Sequence, residues 1–178
     1  MPSNTAIPVE GAEAVSSVLL DLLNRFPGLE PGERIQFATI GPDGGIGFFP
    51  NPGAVTSEHK QNVLGQAQDT CRYPFSIVYN AALKTERQRL RVKEFLDTLG
   101  RWLEGQPVTI GGQVYKLDAY PDLELSLAGI PDASHKIQAI TRLTAAHLNA
   151  AYPDGMEDWV FSAALTYRSE YIQISMKG

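Results

Sequence analysis

The stretch Tyr73-Pro74-Phe75-Ser76-Ile77-Val78-Tyr79-Asn80, followed shortly by TERQRLRVKEFLDTLGRWLE over residues 85–104, sets the architecture. In the first segment Phe75, Ile77 and Tyr79 alternate with Ser76 and Val78, the period of a strand with one face on a core. In the second, Val92, Phe95, Leu96, Leu99, Trp102 and Leu103 recur at helical spacing and form one apolar stripe. Thr85 and Gln88 have capping-box spacing, and Gly105 and Pro107 end the helix, which is predicted over 86–104. A core strand followed by an amphipathic helix predicts helices laid on a sheet.

Working outward, Val15, Val18, Leu19, Leu22, Leu23 and Phe26 predict a second amphipathic helix over 12–26, stopped by Pro27, Gly28, Pro31 and Gly32. Residues 34–40 alternate through Ile35, Phe37 and Thr39. With residues 46–49 across Gly41-Pro42-Asp43-Gly44-Gly45 they predict a β-hairpin. Residues 51–70 open on Pro52 and Gly53 and turn polar with weak periodicity, which reads as an excursion or a short irregular helix. The last third reads as strands over 114–117, 123–127 and 159–167, the final one through Trp159, Phe161, Ala163, Leu165 and Tyr167 after a Pro153-Asp154-Gly155 turn. Residues 137–148 fit a helix or a strand, and a strand paired with the final one is preferred.

No repeat or long linker divides the chain, so residues 1–178 are expected to form a single domain, with residues 1–10 a flexible N-terminal arm. The fold class is α+β, two main helices packed on a largely antiparallel mixed sheet. At 178 residues a chain buries roughly 70% of its unfolded surface, enough for a core without metals or disulfides. The charge of -5 disfavours sequence-independent binding to nucleic acid or anionic lipid, which needs clustered cations. Cys71 is the single cysteine, so no internal disulfide forms. Residues 1–8 lack the basic start and apolar run of a signal peptide, and no segment approaches the ~20 apolar residues of a membrane span.

Chemical motifs are sparse. The glycine-rich segment 41–47 leads into Phe48 and Phe49 rather than a helix, so it reads as a turn and not a phosphate cradle. His59, His135, His147 and Cys71 show no metal-ligand spacing, and no serine sits in a nucleophile elbow. Asp118, Asp122 and Glu124 are near one another beside a turn and read as solvated. The basic residues of the second helix divide on its wheel: Lys84, Arg87 and Arg91 flank one edge of the apolar stripe, Arg89 and Lys93 the other. Leu90 falls opposite the stripe, so it points away from the core. A patch around it, with a neighbour such as Leu83, would mark an association site.

The Tyr73 to Tyr79 strand, the Phe95-Leu96-x-x-Leu99-x-x-Trp102-Leu103 stripe, the N-terminal amphipathic helix and the closing Asp158-Trp159-Val160-Phe161 strand together resemble the tail terminators and minor capsid proteins of tailed bacteriophages. The resemblance covers roughly residues 12–170 and lies in pattern and order. It implies a structural virion protein, not an enzyme, assembled in the host cytoplasm. Such a protein forms a ring, typically a hexamer, at the head-proximal end of the tail, on the tail-tube protein and facing a head-completion or connector protein. DNA would pass only as cargo, and no membrane, cofactor, metal, catalytic or cofactor-binding residue is implied. The interface residues expected are Lys84, Arg87, Leu90 and Arg91, with contact loops over 41–70 and 129–135. An acetyltransferase reading fails because no histidine lies in a His-His-x-x-x-Asp-Gly signature. Two alternatives stay open: another connector or tail-completion protein, or a small enzyme with His147 or His59 as its base.

Overall fold

A computed structural model describes residues 12–51, 55–123 and 134–172. Their elements run α1 (Ala12–Leu23), β1 (Ile35–Phe37), β2 (Gly45–Pro50), β3 (Val55–Gln61), β4 (Gln66–Ala82), α2 (Glu86–Leu103), β5 (Val108–Ile110), β6 (Gln113–Tyr115), β7 (Ser134–Arg142), β8 (His147–Ala151) and β9 (Met156–Ile172). The expected arm and most of the 123–127 strand and 129–135 loop lie outside the described residues.

β4 and β9, 17 residues each, are antiparallel partners from Gln66↔Ile172 to Ala82↔Met156. The remaining strands attach to this ribbon in halves. β3 pairs the first half of β4 and β2 the second, while β8 pairs the first half of β9 and β7 the second. β1 lies outside β2 and completes a seven-stranded sheet. β5 and β6 form a separate small hairpin.

The odd-numbered residues of the ribbon make the core. Tyr73, Phe75 and Ile77 on β4 and Phe161, Ala163, Leu165 and Tyr167 on β9 are buried together with Leu19, Leu22 and Leu23 of α1 and Leu96, Leu99 and Leu103 of α2. Both helices therefore share one face of the sheet. Phe26 joins them, its ring 5.3 Å from Trp102 and edge-on to Phe95 at 5.6 Å. Truncating a side chain such as Phe161, which is fully buried, removes about 3–5 kcal/mol.

Local signals hold where side chains satisfy backbone groups. Thr85 Oγ1 accepts from Gln88 N at 3.2 Å and Gln88 Oε1 accepts from Thr85 N at 3.2 Å, so the capping box forms as expected. α1 ends at Leu23, three residues before the expected Phe26: Asn24 N still donates to Leu20 O at 3.1 Å, but the amides of Arg25 and Phe26 turn to the carbonyls three residues back, and the Asn24 side chain clasps β1. Its Oδ1 accepts from Ile35 N at 2.9 Å and its Nδ2 donates to Ile35 O at 3.1 Å.

Two expectations are corrected. The predicted hairpin of residues 34–40 and 46–49 is instead a parallel pair, with Ile35 opposite Ile46 and Phe37 opposite Phe48. The chain reverses twice between them, at Ala38 with φ +54° and at the Gly41–Gly44 turn, so it enters β2 in its original direction. Gly44 is required there: its φ is +92°, and a Cβ would lie 2.5 Å from Asn80 O. Residues 51–70, expected to be irregular or helical, instead supply β3 and the start of β4, as a hairpin turning at Asn62. Backbone pairing holds this polar edge, which is why apolar alternation failed to reveal it. The preference for a strand over 137–148 stands in part: β7 and β8 both pair β9, broken between Arg142 and His147.

Candidate interaction surface

The helix α2 presents its two flanks differently. On one flank the cations are tied down. Arg89 grips Glu157 with Nε at 3.1 and 3.0 Å from the two carboxylate oxygens and Nη2 at 2.8 Å, and Trp159 Nε1 donates to the same carboxylate at 3.2 Å. The hydrogen bonds from Arg89 hold the Glu157 carboxyl below the usual carboxylate range, against the opposing effect of desolvation. The same bonds push the Arg89 guanidinium up. Lys93 pairs with Asp97 at 2.6 Å, and Asp97 also accepts from Ala146 N at 3.1 Å. Arg142 reaches over Gly100 to Glu104, Nε to Oε1 2.6 Å. These pairs fasten the β7–β8 connection and the start of β9 to the helix.

The four residues singled out in the sequence do not form one patch. Lys84, Arg87 and Arg91 are exposed. Arg91 lines a cleft with Glu30, Glu33, Tyr79 and Gln88. Burial raises the pKa of the Tyr79 phenol there, and the charges of Glu33 and Glu30 raise it further. Leu90, 66% exposed, lies instead on the outer ridge of the helix, in a groove of about 680 Å³ with Lys93, Glu94, Asp97, Thr98, Arg101, Arg142 and Ala145. Leu83, considered as its neighbour in a patch, is buried in the core.

Histidines fall into unlike settings. His59 Nδ1 bonds Asp69, which also accepts from Tyr171 Oη at 2.8 Å. His135 is buried with Nδ1 2.7 Å from Ser169 Oγ. His147 is exposed and bonds Ala145 O at 2.8 Å. Register places His59, Asp69, Ser169 and His135 in one row across β3, β4, β9 and β7. Among the described residues no three His, Cys, Asp or Glu side chains converge as metal ligands. Cys71 is buried, and Asp118 and Asp122 are exposed.

Opposite the helices, the even-numbered residues form the second face of the sheet. At its centre are Pro74, Ser76 and Val78 on β4 and Val160, Ser162 and Ala164 on β9, with Ser76 and Ser162 hydrogen-bonded at 3.0 Å. Gly47 and Phe49 of β2 extend it on one side and Thr141 of β7 on the other. Arg72, Arg168 and Lys136 stand toward the β3–β4 end, and Asp158 at the other. Among the described residues no helix packs on this uncharged centre.

Within the 41–70 contact loop the sequence reading did not single out Val63 and Leu64, the most exposed apolar pair among the described residues, at the turn between β3 and β4. The signal was present in Asn62-Val63-Leu64-Gly65, a turn-forming Asn and Gly around an apolar doublet in a polar stretch. The fold and these surfaces define a two-layer α+β domain with a seven-stranded mixed sheet and two helices on one face. Among known proteins, no family model and no curated protein matches the sequence. No helix among the described residues is long and apolar enough to cross a membrane.

Proposed function

We propose that the protein is a structural component of a tailed-phage virion, a tail terminator that closes as a ring on the last layer of tail-tube subunits and offers its other side to the head. The observation that carries this reading is the sheet face opposite the helices, uncharged and rich in small and apolar residues at its centre. An antiparallel sheet with one face on the core ordinarily turns a polar face to water. Pro74 and Val78, half-buried beside the already buried Val160 and Ala164, are better suited to a protein neighbour. The order of elements, helix, sheet strands, capped helix, then sheet strands, is the order on which the resemblance rests.

The work done would be geometric. A ring uses a different surface of each subunit against the next, leaving two axial surfaces for unlike partners. The reading is tested by adding the chain to polymerising tail-tube protein of the same virus. A terminator arrests growth and caps one end of each tube in electron micrographs. Tubes of unchanged length with bare ends would overturn it.

The enzyme reading keeps one observation, the His59–Asp69 pair buttressed by Tyr171, since a carboxylate that orients a histidine is the supporting part of many nucleophile sites. The nearby Ser169 bonds His135 instead. Esterase turnover that disappears in His59→Ala would move the function to that pair.

A further inference from the structure

Along the rest of α2, charges within reach of one another are paired: Arg89 with Glu157, Lys93 with Asp97 and Arg142 with Glu104. The cleft between the turn after α1 and the helix is different. One wall carries Glu30 and Glu33 and the other Arg91, and among the described residues none of the three is in an ion pair. Both walls are fixed. In the turn Leu29 N donates to Phe26 O at 3.2 Å and Glu33 N to Glu30 O at 2.9 Å, while Glu33 Oε1 accepts from Glu30 N at 3.3 Å. Arg91 stands on the second turn of a capped helix. Opposite charges thus line one cleft without meeting.

The floor is apolar. Tyr79 and Phe95 meet edge to face at 5.5 Å, with the buried Val92 and Leu83 beside them. The volume, about 370 Å³, and an apolar floor with a few polar groups around it are those of a small-molecule site. Burial and the charges of Glu33 and Glu30 raise the pKa of Tyr79, so its phenol stays neutral beside the carboxylates. On the helix wall Gln88 joins Arg91. Its Oε1 is taken by the amides of Lys84 and Thr85, at 2.7 and 3.2 Å, which leaves Nε2 as a donor.

Neighbouring charges decide the kind of guest. Lys84 and Arg87 are exposed at the start of the same flank, and the exposed Glu94 stands beyond Arg91 in an adjoining cleft of about 270 Å³. A simple anion is repelled by Glu30 and Glu33, and a simple cation by Arg91, Arg87 and Lys84. A guest carrying both charges complements both walls.

We propose that this cleft binds a zwitterion with an apolar body, an α-amino acid with a large side chain. Its ammonium group lies against Glu30, Glu33 and the Tyr79 oxygen, its carboxylate on Arg91 and Gln88, and its side chain on Phe95 and Val92. The inference stands apart from the ring reading, since it uses neither Leu90 nor the second sheet face.

L-phenylalanine serves as the probe, with phenethylamine and hydrocinnamate as analogues that keep the ring and one charge each. In amide NMR titrations of the full chain, L-phenylalanine shifts Glu33, Gln88 and Arg91 saturably at millimolar concentration. Each analogue binds at least about tenfold more weakly, the loss expected with one charged hydrogen bond. Two variants assign the ends. Arg91→Gln removes the advantage of L-phenylalanine over phenethylamine, and Glu30→Gln/Glu33→Gln removes its advantage over hydrocinnamate. Glu30 and Arg91 are exposed and Glu33 is half-buried, so amide spectra away from the cleft stay as in the wild type.

Equal binding of the three compounds to the wild type, or an advantage that survives in both variants, would overturn the zwitterion site. So would the absence of any saturable shift. Shifts of these amides by tail-tube protein but not by L-phenylalanine would overturn it in favour of a protein contact. None of these outcomes bears on whether the chain caps tubes.

Discussion

Glu157 joins the start of β9 to α2 through a carboxylate that accepts from Arg89 and Trp159. A carboxyl held low in the fold adds stability that is fully present above its unfolded value, about pH 4.3, and is lost as pH falls through the lower folded value. Glu157→Gln should therefore lower the melting temperature near neutral pH and flatten its fall between about pH 6 and pH 3. Thermal denaturation across that range checks this, and parallel curves for both chains would remove the pair from acid stability. Arg89 is 39% exposed, so solvent moderates the effect. Gly100 offers a second residue-scale test. A Cβ there would lie 2.4 Å from Arg142 Cδ, so Gly100→Ala must displace Arg142 from Glu104 and destabilise the domain. In an Arg142→Ala background the same change should stabilise by up to about 1 kcal/mol, the helix preference of alanine over glycine. Denaturant titration of the four chains reads the difference, and a destabilised double variant would contradict it.

Elements were legible where side chains decide the structure and hidden where the backbone does. α2 could be read to within a residue because Thr85, Gln88 and a periodic stripe ending at Leu103 fix it. β9 was found through its buried Phe161, Leu165 and Tyr167, but its full length was not, since Arg168 and Glu170 carry no apolar alternation. β3 and the first turns of β4 are held by ladder bonds beneath polar side chains, and the parallel β1–β2 pair depends on two chain reversals that composition does not encode. Of the candidate surface, the outward direction of Leu90 was readable from helical phase. The tip at Val63 and the Glu157 partner of Arg89 were not, because they depend on which distant segments the fold brings together, whereas the Lys93–Asp97 pair has the i,i+4 spacing of one helix face and was open to reading. At this scale Asn62→Ala should speed amide exchange in residues 58–70 while shifting the global melting temperature little, since it removes side-chain bonds of the turn and no core contact. Unchanged exchange would mean that the strand ladder alone holds the hairpin. Thr85→Ala should cost about 1 kcal/mol through loss of the α2 cap, measured by denaturant unfolding.

As a whole molecule the domain has a single core between its two helices and one face of a seven-stranded sheet, and its remaining surfaces differ in kind. The second sheet face is uncharged at its centre, Leu90 stands on α2 among the paired Lys93 and Asp97 and the exposed Glu94 and Arg101, and one flank of the helix exposes Lys84, Arg87 and Arg91. In the ring reading, unlike surfaces divide among neighbouring subunits, tail tube and head, and three exposed cations on one flank supply a salt-sensitive contact. Association through that flank weakens as salt screens it. The measurement that tests the account most directly is the mass of the chain in solution by light scattering across concentrations, alone and with the tail-tube protein. The account predicts a discrete closed oligomer, formed alone or on the tube, whereas a monomer indifferent to both would contradict it.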